Sequence, residues 1–274
     1  MDTEKSEAAS QQLKIMTFNI RNRSGTGNIA WVNRRSLVIR AIESFGPDLL
    51  GMQEGYREQI QDILEGLPVP YGSVGISRYG NTEDEYNNIL YRSDKLRIVD
   101  WGQFWLSDAP DSPGSFSKHE TKYPRICTWA KFRMLNEGEA AFYYFNTHLG
   151  LTEEARSQGI DIVLDRIQRY VDDPKIPLFL GGDFNMEETS SLFKRIEKAN
   201  LQDTWAALGH SYIHDGTYNN FESTRNLEHI DWIFQRNCTA LHAIEINDYH
   251  ENGRYPSDHF PVQLTVEIPD LAGY

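Results

Sequence analysis

Hydrophobic residues recur with the spacing of a helix in some segments of the chain and form short continuous runs in others. In residues 31–45, apolar side chains recur every three or four positions, which predicts an amphipathic helix. The apolar runs of residues 13–20 and 48–53 lie on either side of it, and each is typical of a buried strand. This order of strand, helix and strand predicts a βαβ unit at the beginning of the folded chain.

The rest of the chain contains many strand-like runs and few helical ones. Helices are predicted over residues 152–171 and over about 189–199. The hairpin signal Asn136-Glu137-Gly138 would break a strictly parallel order of strands. Further strands are predicted at residues 71–77, 88–91, 96–106, 126–135, 140–147, 178–180, 230–234, 241–246 and 260–268. This mixture predicts an α/β fold in which two mixed β-sheets pack face to face.

The length of the chain and its first residues indicate one folded unit with a short tail. A chain of 274 residues suits one large domain, which we expect over residues 13–274. Residues 1–12 are polar and charged, so we expect a disordered tail there. No signal peptide or run of about 20 apolar residues is visible, which predicts a cytoplasmic protein without a membrane span. A secreted protein remains an alternative if a signal peptide has been removed.

Polar residues lie at or just beyond the ends of the predicted strands. They are Asn19, Glu54, His148, Asp183, Asn185, Asp231, Asp258 and His259. A strand end is where a rigid scaffold offers a side chain to a cleft. A single Asp after a strand is more often a cap or turn residue, but eight such positions together predict one shared site.

Three of these residues have the chemistry of a metal site. Asn19, Glu54 and Asp258 bring one amide oxygen and two carboxylates, and Mg²⁺ prefers such oxygen ligands. The expected cofactor is therefore one Mg²⁺ ion, and Mn²⁺ could substitute for it. The chain has two cysteines and no CxxC motif, which argues against a zinc site.

The other five residues have the chemistry of water activation and phosphate binding. Asp183 and Asn185 could hold the attacking water or, alternatively, a second ion. His148 and His259 could donate hydrogen bonds to phosphoryl oxygens as charge develops. Asp231 could pair with His259 and fix its tautomer.

Six segments that contain these residues carry a resemblance to a known family. They are Thr17-Phe18-Asn19-Ile20, Gln53-Glu54, Asn146-Thr147-His148-Leu149, Gly182-Asp183-Phe184-Asn185, Ile230-Asp231-Trp232-Ile233-Phe234 and Ser257-Asp258-His259-Phe260-Pro261. Their order resembles that of the exonuclease–endonuclease–phosphatase superfamily of metal-dependent phosphoesterases, over nearly the whole chain. The resemblance implies a four-layer sandwich of two β-sheets flanked by helices, with Mg²⁺-dependent cleavage of a phosphate ester.

The resemblance also implies residue roles that agree with this chemistry. It makes Asn19 and Glu54 ligands of the main Mg²⁺, with Asp258 completing the metal region. His148 would contact the scissile phosphate, and Asp183 would position or deprotonate the water beside Asn185. His259, supported by Asp231, would complete the phosphate site. Asp183 and His259 both remain candidates for the general base.

A narrower resemblance concerns the middle of the chain. Residues 102–107, 113–115 and 124–129 resemble a bacterial and fungal branch of the superfamily whose members are called metal-dependent hydrolases. In that branch Arg125 could reach a phosphate oxygen, because a guanidinium group matches the geometry of phosphate. Alternatively, Arg125 pairs with a carboxylate of the sheet.

The charge of the chain bears on its substrate. The chain has 27 Lys and Arg residues against 40 Asp and Glu residues, which gives a net charge of −13. Proteins that bind long duplexes bring many cationic side chains to the phosphates, so nucleic acid is a disfavoured partner. We therefore expect a monomeric hydrolase of a small or medium-sized phosphate mono- or diester. A nuclease, acting as an endonuclease or a 3′-exonuclease, is the alternative, and a binding domain without catalysis is the third.

Overall fold

The computed structural model describes residues 10–120, 122–135, 140–213, 215–222 and 228–270. Its strands are β1 (Ser10–Asn19), β2 (Leu49–Gln53), β3 (Tyr71–Val74), β4 (Ile89–Arg92), β5 (Leu96–Trp105), β6 (Ile126–Met134), β7 (Ala141–His148), β8 (Leu178–Asp183), β9 (Gln202–Asp203), β10 (Asp231–Arg236), β11 (Ala240–Ile246) and β12 (Val262–Pro269). Its α-helices are α1 (Trp31–Phe45), α2 (Arg57–Gly66), α3 (Glu153–Tyr170), α4 (Ser191–Lys198) and α5 (Thr204–Ala207), and a 3₁₀ helix spans Gly27–Ile29.

The strands form two six-stranded mixed sheets. The first sheet has the order β11-β12-β1-β2-β4-β3, and the second has the order β5-β6-β7-β8-β10-β9. Each sheet contains one parallel pair, β1 with β2 and β7 with β8, and the other neighbours are antiparallel. The two sheets are therefore built on the same central plan, and the predicted pair of mixed sheets is confirmed.

Aromatic side chains join the sheets to each other and to the helices. Between the sheets, the rings of Tyr91 in β4 and Phe132 in β6 lie 5.5 Å apart. On the outer face of the second sheet, Trp129 in β6 stacks on Tyr170 of α3 at 4.7 Å. Helices α1 and α2 pack in a separate apolar cluster against the outer face of the first sheet. The layers are thus helix, sheet, sheet and helix, as the four-layer prediction requires.

The two sheets approach each other closely at Gly51 and Tyr144, beside two hydrogen bonds of Asn146. Tyr144 is fully buried, and a Cβ atom on Gly51 of the opposite sheet would lie 2.1 Å from its hydroxyl oxygen. Nearby, Gln53 Nε2 donates to Asn146 Oδ1 at 2.7 Å, and Asn146 Nδ2 donates to the Met52 carbonyl at 3.0 Å. These contacts lie just below the ends of β2 and β7 and hold those ends in register.

The structure corrects some predicted boundaries. Strand β1 begins at Ser10, so residues 10–12 belong to a strand and not to the predicted tail, because they pair with the end of β12. The rest of the tail and the hairpin signal at residues 136–138 lie outside the described residues. Helix α2 was not predicted. Within the described part of the chain, no helix is long and apolar enough to cross a membrane.

Candidate active site

The parallel pairs bring four of the predicted residues to one side of the molecule. Asn19 ends β1, Glu54 follows β2, and His148 and Asp183 end β7 and β8. Parallel strands end at the same edge of a sheet, and β1 and β7 occupy equivalent positions in the two sheets. The two edges meet at Asn19, whose Nδ2 donates to Glu54 Oε1 at 3.1 Å and to Asp183 Oδ2 at 3.0 Å.

Three predicted residues reach the same edge from the opposite direction. Asp231 is the first residue of β10, and Asp258 and His259 precede β12. The prediction that they lie at or beyond strand ends is therefore wrong in detail. Because β10 and β12 run antiparallel to β8 and β1, the beginnings of these strands lie beside the ends of their neighbours.

Asp183 lies at the centre of the assembled groups. Its Oδ2 atom is 3.3 Å from His148 Nε2 and 3.9 Å from His259 Nε2. Its Oδ1 atom accepts a hydrogen bond from the backbone amide of Asn185 at 2.9 Å. Burial and the neighbouring carboxylate of Asp231 raise the pKa of Asp183 to about 7. A carboxylate with such a pKa can accept a proton at neutral pH.

The two histidines of the site have opposite protonation behaviour. His259 Nδ1 lies 2.8 Å from Asp231 Oδ2. Burial opposes protonation of His259, but the carboxylates of Asp231, Asp183 and Asp258 outweigh it and raise its pKa to about 10. Burial holds the pKa of His148 well below its usual range, and the cationic groups of the site lower it further. These shifts favour the imidazolium form of His259 and the neutral form of His148 at neutral pH.

Glu54 and Asp258 form a second, more open part of the site. Glu54 has a left-handed φ of 64°. Its Oε2 atom accepts a hydrogen bond from the backbone amide of Asn22 at 3.0 Å. Asp258 is almost fully buried, and this burial raises its pKa. The guanidinium group of Arg21 lies 3.9 Å from Glu54 Oε2 and 3.6 Å from Asp258 Oδ2. One cationic group can thus span both carboxylates.

Two sets of residues have the chemistry to hold a metal ion. The carboxylates of Glu54 and Asp258 are hard oxygen donors that already face a cation. Asn19 donates its side-chain nitrogen to the carboxylates of Glu54 and Asp183. Its Oδ1 atom accepts from the Arg21 backbone amide and has a second lone pair that could face an ion. Separately, the buried ligand atoms of Asp183, Asp231 and His259 all lie within 4.8 Å of one another and could hold an ion.

The protonation of His259 distinguishes these two sets. A histidine that binds a metal must be neutral, whereas the carboxylates around His259 favour its charged form. Without an ion, the Asp183–Asp231–His259 group therefore favours a proton on His259, which a metal ion would have to displace. The other set contains no histidine, and the carboxylate oxygens of Glu54 and Asp258 are ligands that Mg²⁺ prefers.

Arg125 and Asn185 are engaged with other parts of the protein. Arg125 Nε and Nη2 each lie 3.3 Å from Glu120 Oε1, so the guanidinium pairs with a carboxylate. This carboxylate belongs to the loop before β6 and not to the sheet, where the alternative interpretation expected it. The charge of Arg125 still contributes to the low pKa of His148. Asn185 donates its side-chain amide to the Leu149 carbonyl at 3.0 Å.

Arg34 is a site residue that sequence reasoning missed. It lies on the buried face of α1 and is fully buried, and burial lowers its pKa to about 10. Its donors bind the backbone carbonyls of Ile20, Arg21, Asn22, Ile29 and Pro256. This single cation therefore ties the segment after Asn19 to the segment before Asp258. A charged residue on the apolar stripe of a predicted helix was the available signal.

Comparisons with known proteins agree with this arrangement. A model of the endonuclease/exonuclease/phosphatase family matches residues 16–259. The structure of an endonuclease/exonuclease/phosphatase from Bacteroides vulgatus is similar, with 30% identity, a TM-score of 0.86 and coverage of 94% of this chain and 99% of that one. A mannosyl-6-phosphatase of Bacteroides thetaiotaomicron has 29% identity, a TM-score of 0.84 and coverage of 93% and 99%. An uncharacterized protein of Acanthamoeba polyphaga mimivirus is 27% identical over 86% of this chain and 92% of its own length.

Proposed function

The chain belongs to the endonuclease/exonuclease/phosphatase family, and on that premise we propose that it is a Mg²⁺-dependent phosphoesterase acting on a small or medium-sized phosphate ester. The observation that carries the proposal is the position of Asp183. Its carboxylate contacts Asn19 from the first sheet and lies beside His148 and His259. The carboxylate that can accept a proton thus lies beside Asn19, a proposed metal ligand, and beside His148 and His259, which would bind the phosphate.

Glu54 and Asp258, with Asn19, are the residues that would hold the divalent ion. Such an ion polarises a phosphoryl oxygen and offsets the charge that develops on it. The neutral amide of Asn19 would link this ion to Asp183, because Asn19 lies within hydrogen-bond distance of both Glu54 and Asp183. These contacts support a catalytic unit that spans the two sheets.

Asp183 is the better supported general base of the two candidates. Its pKa of about 7 leaves a large fraction of carboxylate at neutral pH. His259, with a pKa of about 10, already carries its proton and serves better as a hydrogen-bond donor to a phosphoryl oxygen. Asp231 keeps His259 charged and oriented, and the neutral His148 offers a further N–H group beside Asp183.

The surroundings of the site support a substrate smaller than a nucleic acid. A cleft of about 510 Å³ beside Asn185 is lined by Glu153, Glu187 and Glu228, with Arg156 as its cation. Carboxylates repel a phosphate backbone but accept hydrogen bonds from sugar hydroxyl groups. The likeness to a mannosyl-6-phosphatase points in the same direction. A sugar phosphate monoester is therefore the first substrate to test.

The test is a substrate panel with purified protein. Mannose 6-phosphate, p-nitrophenyl phosphate, bis(p-nitrophenyl) phosphate and single- and double-stranded DNA would each be assayed with Mg²⁺ and with excess chelator. We expect Mg²⁺-dependent release of phosphate from a monoester, with kcat about 10²–10⁴-fold lower in Asp183→Ala. A higher kcat/KM on DNA than on every small ester would establish the nuclease alternative. Full activity in excess chelator would refute the metal dependence.

A further inference from the structure

We propose that Arg21 competes with a divalent cation for the carboxylates of Glu54 and Asp258 and thereby sets the affinity of the metal site. This inference rests on the proposed function, because it takes those carboxylates as the metal ligands. Arg21 Nη1 lies 3.9 Å from Glu54 Oε2, and Arg21 Nε lies 3.6 Å from Asp258 Oδ2. Both distances exceed those of a good hydrogen bond, so the attraction is mainly between charges.

The backbone of Arg21 is fixed, whereas its side chain is free to move. Its amide donates to Asn19 Oδ1 at 2.9 Å, and its carbonyl accepts from Gln59 Nε2 at 3.0 Å and from Arg34 Nη2 at 3.2 Å. The side chain is 38% exposed, against 13% for Glu54 and 10% for Asp258. The guanidinium can therefore leave the carboxylates without disturbing the loop that carries it.

Two neighbouring arginines lack this combination of features. Arg34 is fully buried, and its donors bind backbone carbonyls. Arg23 is exposed and pairs with Glu58. Arg21 thus combines contact with both carboxylates and a path to solvent.

A divalent ion that binds these carboxylates must lose part of its attraction to them or displace the guanidinium. The loss of two weak ion pairs of this kind converts to an affinity difference of about twofold to thirtyfold. Removal of the Arg21 side chain should tighten Mg²⁺ binding by that factor. Salt should weaken this effect, because screening reduces the attraction between the exposed guanidinium and the carboxylates.

The substitution must respect the backbone of residue 21. Arg21 has a left-handed φ of 56°, so Arg21→Gly removes the side chain without strain. Arg21→Lys keeps the charge but lacks the planar fork that spans two carboxylates, and it should give an intermediate affinity. Arg23→Ala removes a charge two residues away and serves as the matched control. Glu54→Gln tests the metal site itself.

The experiment measures the Kd of Mg²⁺ for all five proteins by isothermal titration calorimetry, with the Mg²⁺-induced rise in Tm as a second readout. We expect Arg21→Gly to bind about twofold to thirtyfold more tightly than wild type at low salt, with Arg23→Ala unchanged and Glu54→Gln much weaker. Equal Kd values for wild type and Arg21→Gly, with binding lost in Glu54→Gln, would overturn this inference alone. If neither wild type nor Arg21→Gly binds Mg²⁺, or if Glu54→Gln binds like wild type, the metal site is wrong as well.

Discussion

The active-site edges of the two sheets are built on the same plan but hold their negative charge in different ways. In each sheet, two parallel strands end in polar residues and an antiparallel neighbour adds a carboxylate. At the first sheet, Glu54 and Asp258 retain some exposure and face the partly exposed guanidinium of Arg21. At the second sheet, Asp183 and Asp231 are nearly inaccessible and face the buried imidazole of His259.

This difference shows how depth decides what a carboxylate does. Near solvent, a pair of carboxylates can exchange one cation for another, which a metal site requires. Deeper in the protein, burial and like charge raise the pKa of Asp183 to about 7, so the group exchanges protons instead. On the proposed function, equivalent strand ends would supply an ion site in one sheet and a proton site in the other.

The largest effect should come from removal of the metal ion, which tests the edge of the first sheet, where Glu54 and Asp258 lie. Excess chelator should reduce phosphoester hydrolysis to background, and Mg²⁺ or Mn²⁺ should restore it. The fold should survive, because no strand pairing depends on Glu54 or Asp258 side chains. Activity assays and circular dichroism on the same samples check both statements. Unfolding by the chelator would mean that the ion also has a structural role.

The next largest effect should come from substitution of Asp183 or His259 at the edge of the second sheet. Asp183→Ala and His259→Ala should each lower kcat by about 10²–10⁴-fold, as is typical for a positioned acid or base. The two groups act in one proton network, so the double variant should lose much less than the product of the two factors. Kinetics on one cleaved ester, with circular dichroism as the control for folding, provide the measurement. If the kcat losses of the two single variants simply multiply in the double variant, Asp183 and His259 act independently.

Two single substitutions, one at the edge of each sheet, should have smaller and different effects. Asp231→Asn should impair kcat less than His259→Ala, because the imidazole remains, and should leave the Kd of Mg²⁺ unchanged. Asp258→Asn should weaken Mg²⁺ binding. Calorimetry on both variants tests this contrast. If Asp231→Asn abolishes Mg²⁺ binding and Asp258→Asn does not, the buried Asp183–Asp231–His259 group is the metal site.

The smallest effect concerns the contact that sets the spacing of the two edges. In Gly51→Ala, the new Cβ would approach within 2.1 Å of the Tyr144 hydroxyl and 2.9 Å of Asn146 Oδ1. Such overpacking costs about 1–3 kcal/mol of unfolding free energy. Tyr144→Phe on the Gly51→Ala background should recover part of the loss. Denaturant unfolding of the single and double variants measures it, and an additive loss would contradict the proposed clash.

The sequence predicted the residues of both edges because they follow local patterns. Asn19, Glu54 and Asp183 each follow an apolar run that forms a strand, and α1 begins and ends where its periodicity predicts. Strand direction is not written in such patterns, so the antiparallel pairing that brings the start of β10 and the segment before β12 to this edge was not foreseen. The roles assigned to the site residues remain predictions.

Features that depend on distant contacts could not be predicted in this way. Arg34 binds the carbonyl of Pro256, 222 residues away in sequence, and nothing local to α1 indicates that partner. Glu120 lies in a polar loop that has no recognisable strand or helix pattern, so it was not predicted as the partner of Arg125. The protonation of Asp183 and His259 depends on burial, which only the assembled sheets provide.

The central claim is that Asp183 acts as the base while His259 remains charged, and the pH dependence of kcat/KM tests it most directly. With a monoester and saturating Mg²⁺, activity should rise with pH through about 7 as Asp183 loses its proton, and fall through about 10 as His259 loses its own. The rise near pH 7 should be absent from the residual activity of Asp183→Asn, whereas a rise caused by the substrate phosphate would remain. Asp231→Asn should move both limits to lower pH, because Asp231 raises both pKa values. A wild-type profile that is flat from pH 5 to 8, or that falls between pH 7 and 9, would contradict the account.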